Sequence, residues 1–207
     1  MDPALFWKAM VLGLAIAAPL GPIGALCIER TLQRGFLAGI AGGLGTALAD
    51  GAYAAMAATG FAAFAGVLAA ADLPLKLAGG AFMLWLGWQG MTPRPPRAAA
   101  EVRARDLAGT TAATFLLTIA NPMTILSFAA LFAGLGLAAG SSGAAAALVV
   151  GGVFCGSMLW WALLSGGVAL ARHRLPPGFA LWVSRLSGLL LIGFGLWALA
   201  SAGRQLW

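Results

Sequence analysis

One carboxylate stands deep in apolar sequence. Asp50 lies in "GGLGTALADGAY", residues 42–53, and is the only acid well inside a predicted span. A carboxylate at membrane depth is costly, and its default reading is functional. Steps of three and four put Gly39, Gly42, Thr46, Asp50 and Tyr53 on one helical stripe. Thr46 and Tyr53 then offer hydroxyls on either side of the acid. Such a group can bind an ammonium or carry a proton.

Two other stretches could bind the opposite charge. "AAPLGPIGALCIER", 17–30, holds Pro19, Gly21, Pro22 and Gly24 inside an apolar run. "TIANPMTILSF", 118–128, holds Asn121, Pro122 and Thr124 in the same kind of setting. Proline lacks the N–H that an interior turn needs and clashes with the preceding turn, so both helices should bend or unwind there. A half-helix starting after each proline turns free N–H groups and a positive dipole end toward the break. That end suits an anionic group such as a carboxylate. The expected site is Gly21, Pro22, Gly24, Thr46, Asp50, Tyr53, Asn121, Pro122 and Thr124, with Asp50 as the proton-coupling group. Together these groups describe the two ends of an amino acid. Glu29, beside Arg30 and Arg34, reads instead as part of a local interfacial pair.

These groups need membrane helices to hold them. The chain has 207 residues, 61% hydrophobic and 9% charged, against roughly a quarter charged in soluble domains. From Leu107 to Ala171 no Asp, Glu, Lys, Arg or His occurs. A span needs about 20 residues, so that stretch holds two spans turning at "AAGSSG", 138–143. The reading is an all-α integral membrane protein with helices at 4–28, 36–60, 73–91, 108–139, 144–170 and 178–203. The connections are 30–35, 60–74, the arginine-rich 92–106, the Ser-Gly turn and 172–178. No signal peptide is read at the N-terminus.

Basic residues orient the spans. Arg30, Arg34, Arg94, Arg97, Arg103, Arg105, Arg172 and Arg174 fall in connections on one side; Lys8, Lys76, Arg185 and Arg204 fall on the other. The richer side is cytoplasmic, which puts both termini in the periplasm or outside.

The halves also resemble each other. "KLAGGAFMLWLGW" (76–88) matches "RLSGLLLIGFGLW" (185–197), Gly42-Gly43 matches Gly151-Gly152, and Gly21-Pro22 matches Asn121-Pro122. Three spans per half is an odd number, so the repeats must be inverted: 1–91, a basic cytoplasmic linker at 92–107, and 108–207. Transporters built this way bind cargo at the repeat interface.

Several functions are poorly served. The basic residues are scattered, which argues against nucleic acid. Cys27 and Cys155 have no CxxC spacing and read as buried structural thiols. Cys27 aligns with Ser127 rather than a second cysteine, against a thiol–disulfide carrier. A divalent metal ion exporter would want several carboxylates, and no metal or other cofactor is expected. No catalytic group is expected either, since His173, the sole histidine, lies in a basic loop. A non-transporting membrane protein stays open as an alternative. The expected partners are the lipid bilayer, a small-molecule substrate and, through glycine stripes such as Gly152 to Gly156, a homodimer.

The stretches "PLGPIGALCIERTLQRGFLAGIAGGLGTALADGAY" (19–53) and "ANPMTILSFAALFAGLG" (120–136) resemble the lysine exporter, or LysE-type, family of amino-acid exporters. The resemblance implies six spans in a bacterial inner membrane and export of amino acids driven by the proton motive force. Ile23 follows Gly21-Pro22 where many relatives carry Asn or Gln.

Overall fold

The computed structural model describes residues 3–19, 21–59, 61–91, 104–121, 124, 127–128, 143–176 and 178–204. Among these the chain is all-helical, without strands. The helices are α1 (Pro3–Ala17), α2 (Pro22–Arg34), α3 (Phe36–Thr59), α4 (Phe61–Met91), α5 (Ala104–Ile119), α6 (Gly143–Ala171) and α7 (Phe179–Gly203), with a 3-10 turn at Arg172–Arg174.

The first expected span is two helices. α1 ends at Ala17 and α2 begins at Pro22, the two meeting at a bend of 84°. Proline at a first helical position loses nothing, because that N–H is unpaired in any case. α2 then runs on to Arg34, through what the sequence suggests is a loop at 30–35. Only Gly35 separates it from α3, with φ +88°, a region glycine enters without a Cβ penalty. The stretch 60–74, also expected as a loop, is helical from Phe61 onward, and Pro74 lies inside α4. Lys76 and Asp72, 2.5 Å apart one turn from each other, bracket that proline. The expected linker 92–107 is shortened, since Ala104 to Leu107 already belong to α5. Residues 92–103, the distal part of the expected fourth span and the Ser-Gly turn lie largely outside the described residues.

Gly143–Ala171 and Leu181–Gly203 are each long and apolar enough to cross a membrane, and α1 with α2 qualifies as one bent pair, among the described residues. α3 has the length for a span, but glycines and alanines dominate it.

α3 and α6 form the centre and run antiparallel, as Gly39 facing Ser165, Gly43 facing Trp161 and Gly51 facing Phe154 show. α1 lies against α6, α5 against α3, and α7 against α4. Small residues let backbones approach in the membrane, where packing rather than water drives association. A Cβ on Gly152 would meet Phe6 O at 2.5 Å; one on Gly156 would collide with Met10 O. Gly87 and Gly188 face each other in the same way between α4 and α7. The apolar core has two parts: one around Leu12, Tyr53, Phe128 and Val153, the other around Leu26, Met83, Leu117 and Trp161. Along α6 the polar Ser157 falls between them. Cys27 is buried, but Cys155 is exposed, contrary to the sequence reading. It points away from the α3 and α1 contacts that Val153, Gly156 and Ser157 make.

Candidate functional site

The break between α1 and α2 opens on a cavity of about 70 Å³. Its wall includes Gly21, Pro22, Gly24, Thr46, Asp50, Asn121 and Thr124, seven of the nine residues expected from the sequence. Chain segments separated by about a hundred residues therefore meet at one place.

The ends of two half-helices face this space. Gly21 caps α2 in an extended conformation, with no side chain accepting from the first turn. The first bond inside α2 is Ala25 N–H to Gly21 O, 3.0 Å. The N–H groups of Ile23 and Gly24 precede it, are orphans of the helix start, and belong to residues that line the cavity. A Cβ on Gly21 would meet nothing within 4 Å, so glycine here leaves room. From the other side come Ile16 and Ala17, at the carbonyl end of α1. One break thus presents a positive dipole end and a negative one.

Asp50 stands in the wall, 1% exposed. Ser157 Oγ, on α6, donates to Asp50 Oδ2 at 2.7 Å. Trp161 Nε1 donates in turn to Ser157 Oγ at 3.2 Å. Residues 157 and 161 share one face of α6 at a spacing of four, and Trp161 also lines the cavity. This short relay fixes the carboxylate through a neutral donor. It leaves the group able to accept a proton or an ammonium.

A threonine ladder closes the side toward α5. Thr118 Oγ1 donates to Thr114 O at 2.8 Å and lies 3.4 Å from Thr46 Oγ1. Thr114 Oγ1 lies 2.7 Å from Gly42 O on α3 and 3.1 Å from Thr110 O on its own helix. Thr114 and Thr118 are fully buried. These bonds stitch α5 to α3 and satisfy hydroxyls that would be costly unpaired in apolar surroundings.

One expected residue stands elsewhere. Tyr53 is buried but not in the cavity wall. Its hydroxyl donates to Ile119 O at 2.6 Å, and its ring stacks on Phe128 at 5.3 Å between centroids. It thereby caps an orphan carbonyl at the end of α5 and braces the second break. Pro122 lies outside the described residues. Asn121, just after α5, has its N–H 3.2 Å from Thr118 O and lines the cavity.

Ser157, Trp161 and Thr118 were not legible as site residues. Ser157 reaches Asp50 across 107 positions of sequence, and serine in an apolar helix carries no signal by itself. Glu29, expected in a local interfacial pair, is held by neutral donors. It is 8% exposed, and its Oε1 accepts from Ser184 Oγ at 2.7 Å and from Gln33 Nε2 at 3.0 Å. α7 packs over α2 and supplies that serine. Among the described residues, no three His, Cys, Asp or Glu side chains gather where a metal ion could be held.

The model of the LysE type translocators matches residues 14–202. The chain belongs to the LysE type translocator family. Two relatives show how far this likeness reaches. The "Chemotactic transduction protein ChpE" of Pseudomonas aeruginosa is 29% identical, over 92% of this chain and 98% of its own length. The "Putative amino acid efflux protein YcgF" of Bacillus subtilis is 25% identical, over 93% of this chain and 94% of its own. No solved structure matches the chain. With its apolar helices, this translocator family member is a multi-pass membrane protein.

Proposed function

We propose that this translocator exports amino acids or close derivatives across a bacterial inner membrane, coupled to proton entry by alternating access. The observation that carries the reading is the shared cavity: a half-helix N-terminus and a buried carboxylate reach the same space. The first suits the cargo's carboxylate, the second its ammonium. The name of the Bacillus relative, a putative amino acid efflux protein, points the same way. At about 70 Å³ the cavity is well below the roughly 300–1,000 Å³ of pockets that bury larger ligands. A space of that size favours a small solute.

In the proposed cycle, cargo enters from the cytoplasm with its carboxylate at the N-H groups of Ile23 and Gly24 and its ammonium at Asp50. The repeats rock, the cargo leaves outward, and a proton returns on the same carboxylate. Asp50 cannot hold both, so the two are exchanged rather than carried together.

Reciprocal packing supports two inverted repeats of three spans. α1 lies on α6, while α5 lies on α3: each half's broken helix rests on the other half's second span. The directions agree. Thr111 bonds Ala41 O and Thr118 approaches Thr46, so α5 and α3 run parallel. Gly80 faces Gly195 and Gly87 faces Gly188, so α4 and α7 run antiparallel, as third and sixth spans must.

Counterflow in liposomes tests the function. Purified protein should accelerate exchange of at least one labelled amino acid, and not of divalent metal ions. Exchange of metal ions alone would favour the rival exporter. Exchange of neither would favour a non-transporting role, which the name of the Pseudomonas relative, a chemotactic transduction protein, raises. Orientation is tested by single cysteines in a background lacking Cys27 and Cys155. Ala99→Cys should resist an impermeant reagent in intact cells and react in inverted vesicles, with Ser142→Cys doing the opposite. Labelling of Ala99→Cys from outside reverses the proposed topology.

A further inference from the structure

A second, larger concavity lies on the outer side of the bundle, away from Asp50. It runs between α3 and α5, holds about 730 Å³, and is lined by residues including Leu37, Leu44, Leu48, Leu107 and Phe115. Leu37 is 61% exposed and Leu48 45%. Thr111 is in the wall, but its hydroxyl is spent on Ala41 O at 2.8 Å. The surface offered to an occupant is therefore almost wholly apolar.

Its length and its ends are informative. Leu37 to Leu48 is eleven helical steps, about 16 Å at 1.5 Å each. One leaflet of a hydrocarbon core is about 15 Å, half of roughly 30 Å. Because α3 and α5 are parallel, both helices begin at the Leu37–Leu107 end. Arg34 immediately precedes Gly35 and α3, and Arg105 opens α5 and is exposed. Arg172 stands at the same end of α3: its Nη1 lies 3.8 Å from where a Cβ on Gly35 would sit. Asp106, beside Arg105, is an acid at that end among the described residues. At the other end, Leu48 and Phe115 carry no charge.

We propose that this groove seats an acyl chain of one anionic phospholipid, with the phosphate held at the Arg34, Arg105 and Arg172 end. Apolar length matched to one leaflet and a basic corner at the interface are the two halves of a phospholipid. Juxtamembrane arginines each attract anionic lipid by about 1 kcal/mol, or roughly fivefold in affinity. The site is distinct from the cargo cavity, because the two linings share no residue.

Native mass spectrometry of the full-length protein, titrated with phosphatidylglycerol and phosphatidylcholine of the same chains, is the test. One lipid should bind saturably, phosphatidylglycerol at least about tenfold tighter. Arg105→Gln should cut that preference roughly fivefold. Leu48→Trp, which fills the groove, should weaken both lipids. Equal binding of the two headgroups would overturn the proposal. So would unchanged phosphatidylglycerol binding in Arg105→Gln, whose exposed side chain makes the fold safe even if Leu48→Trp expresses poorly. A lipid-insensitive dimer broken by Ala108→Trp would show that a second copy occupies the groove, and would overturn it as well.

Discussion

Asp50→Asn abolishes export against a gradient while leaving the protein folded. Asparagine keeps the size of the side chain and an oxygen to accept from Ser157 Oγ, now 2.7 Å from Asp50 Oδ2. It removes the charge and the titration. A buried ionic partner removed from one side of a pair costs about 2–5 kcal/mol, so cargo held by its ammonium should lose at least about thirtyfold in apparent affinity. The coupling loss is separate. Without a group that can carry a proton inward, any remaining movement runs only down the cargo's own gradient. The measurement is uptake into inverted vesicles with and without an imposed proton gradient. Wild type should accumulate cargo and respond to the gradient; Asp50→Asn should do neither. Full, gradient-dependent accumulation by the variant would assign Asp50 to structure alone. Expression should hold, since removing an expensive buried charge often leaves stability unchanged or raised. Ser157→Ala is the companion. It leaves the carboxylate in place and should weaken transport only in part.

Gly156→Leu should unseat α1. The position has no room: a single Cβ already runs into Met10 O and comes within 2.8 Å of Leu14 N, both backbone atoms of α1. Backbone cannot swing aside as a side chain can, so the helices must separate along the α1–α6 contact. Overpacking costs about 1–3 kcal/mol where side chains can adjust, and this site lies at the upper end. For about 200 residues, roughly 3 kcal/mol corresponds to a Tm lower by about 6–12 °C. Ala17 and Ile16 at the end of α1 line the cavity, so transport should fall as well. The control is Gly167→Leu in the same helix, where a Cβ meets nothing within 4 Å. Leucine is the better helix former, so that variant should match or exceed wild-type Tm. Equal behaviour of the two variants in a detergent melting experiment would show that the close contact does not hold α1.

Local chemistry alone decided much of this protein. Proline's missing N–H ended α1 and began α2, and that can be read from Gly21-Pro22 without any partner. The depth of Asp50 follows from the absence of charge around it, and its face follows from helical spacing with Thr46. The ends of α6 and α7 fall within a residue or so of where the sequence put them, because charge and glycine bound them. Local signals also misled. Asp72 and Pro74 read as a loop, yet α4 runs through them, its proline flanked by the Asp72–Lys76 pair. Ser184, which α7 brings to Glu29, had no local signal at all.

What tertiary structure decided is who meets whom. Tyr53 shares the stripe of Asp50, but the end of α5 lies within its reach, so its hydroxyl serves Ile119 instead of the cavity. Serine and tryptophan one turn apart on α6 become the support of the acid only because α3 and α6 cross at Gly43 and Gly51. In a helix, a residue's face is set by spacing alone, and that is written in the chain. Which helix covers that face depends on backbone approach between segments a hundred residues apart, where a missing Cβ permits contact without naming the partner. The breaks were therefore legible one at a time, and the cavity they share was not.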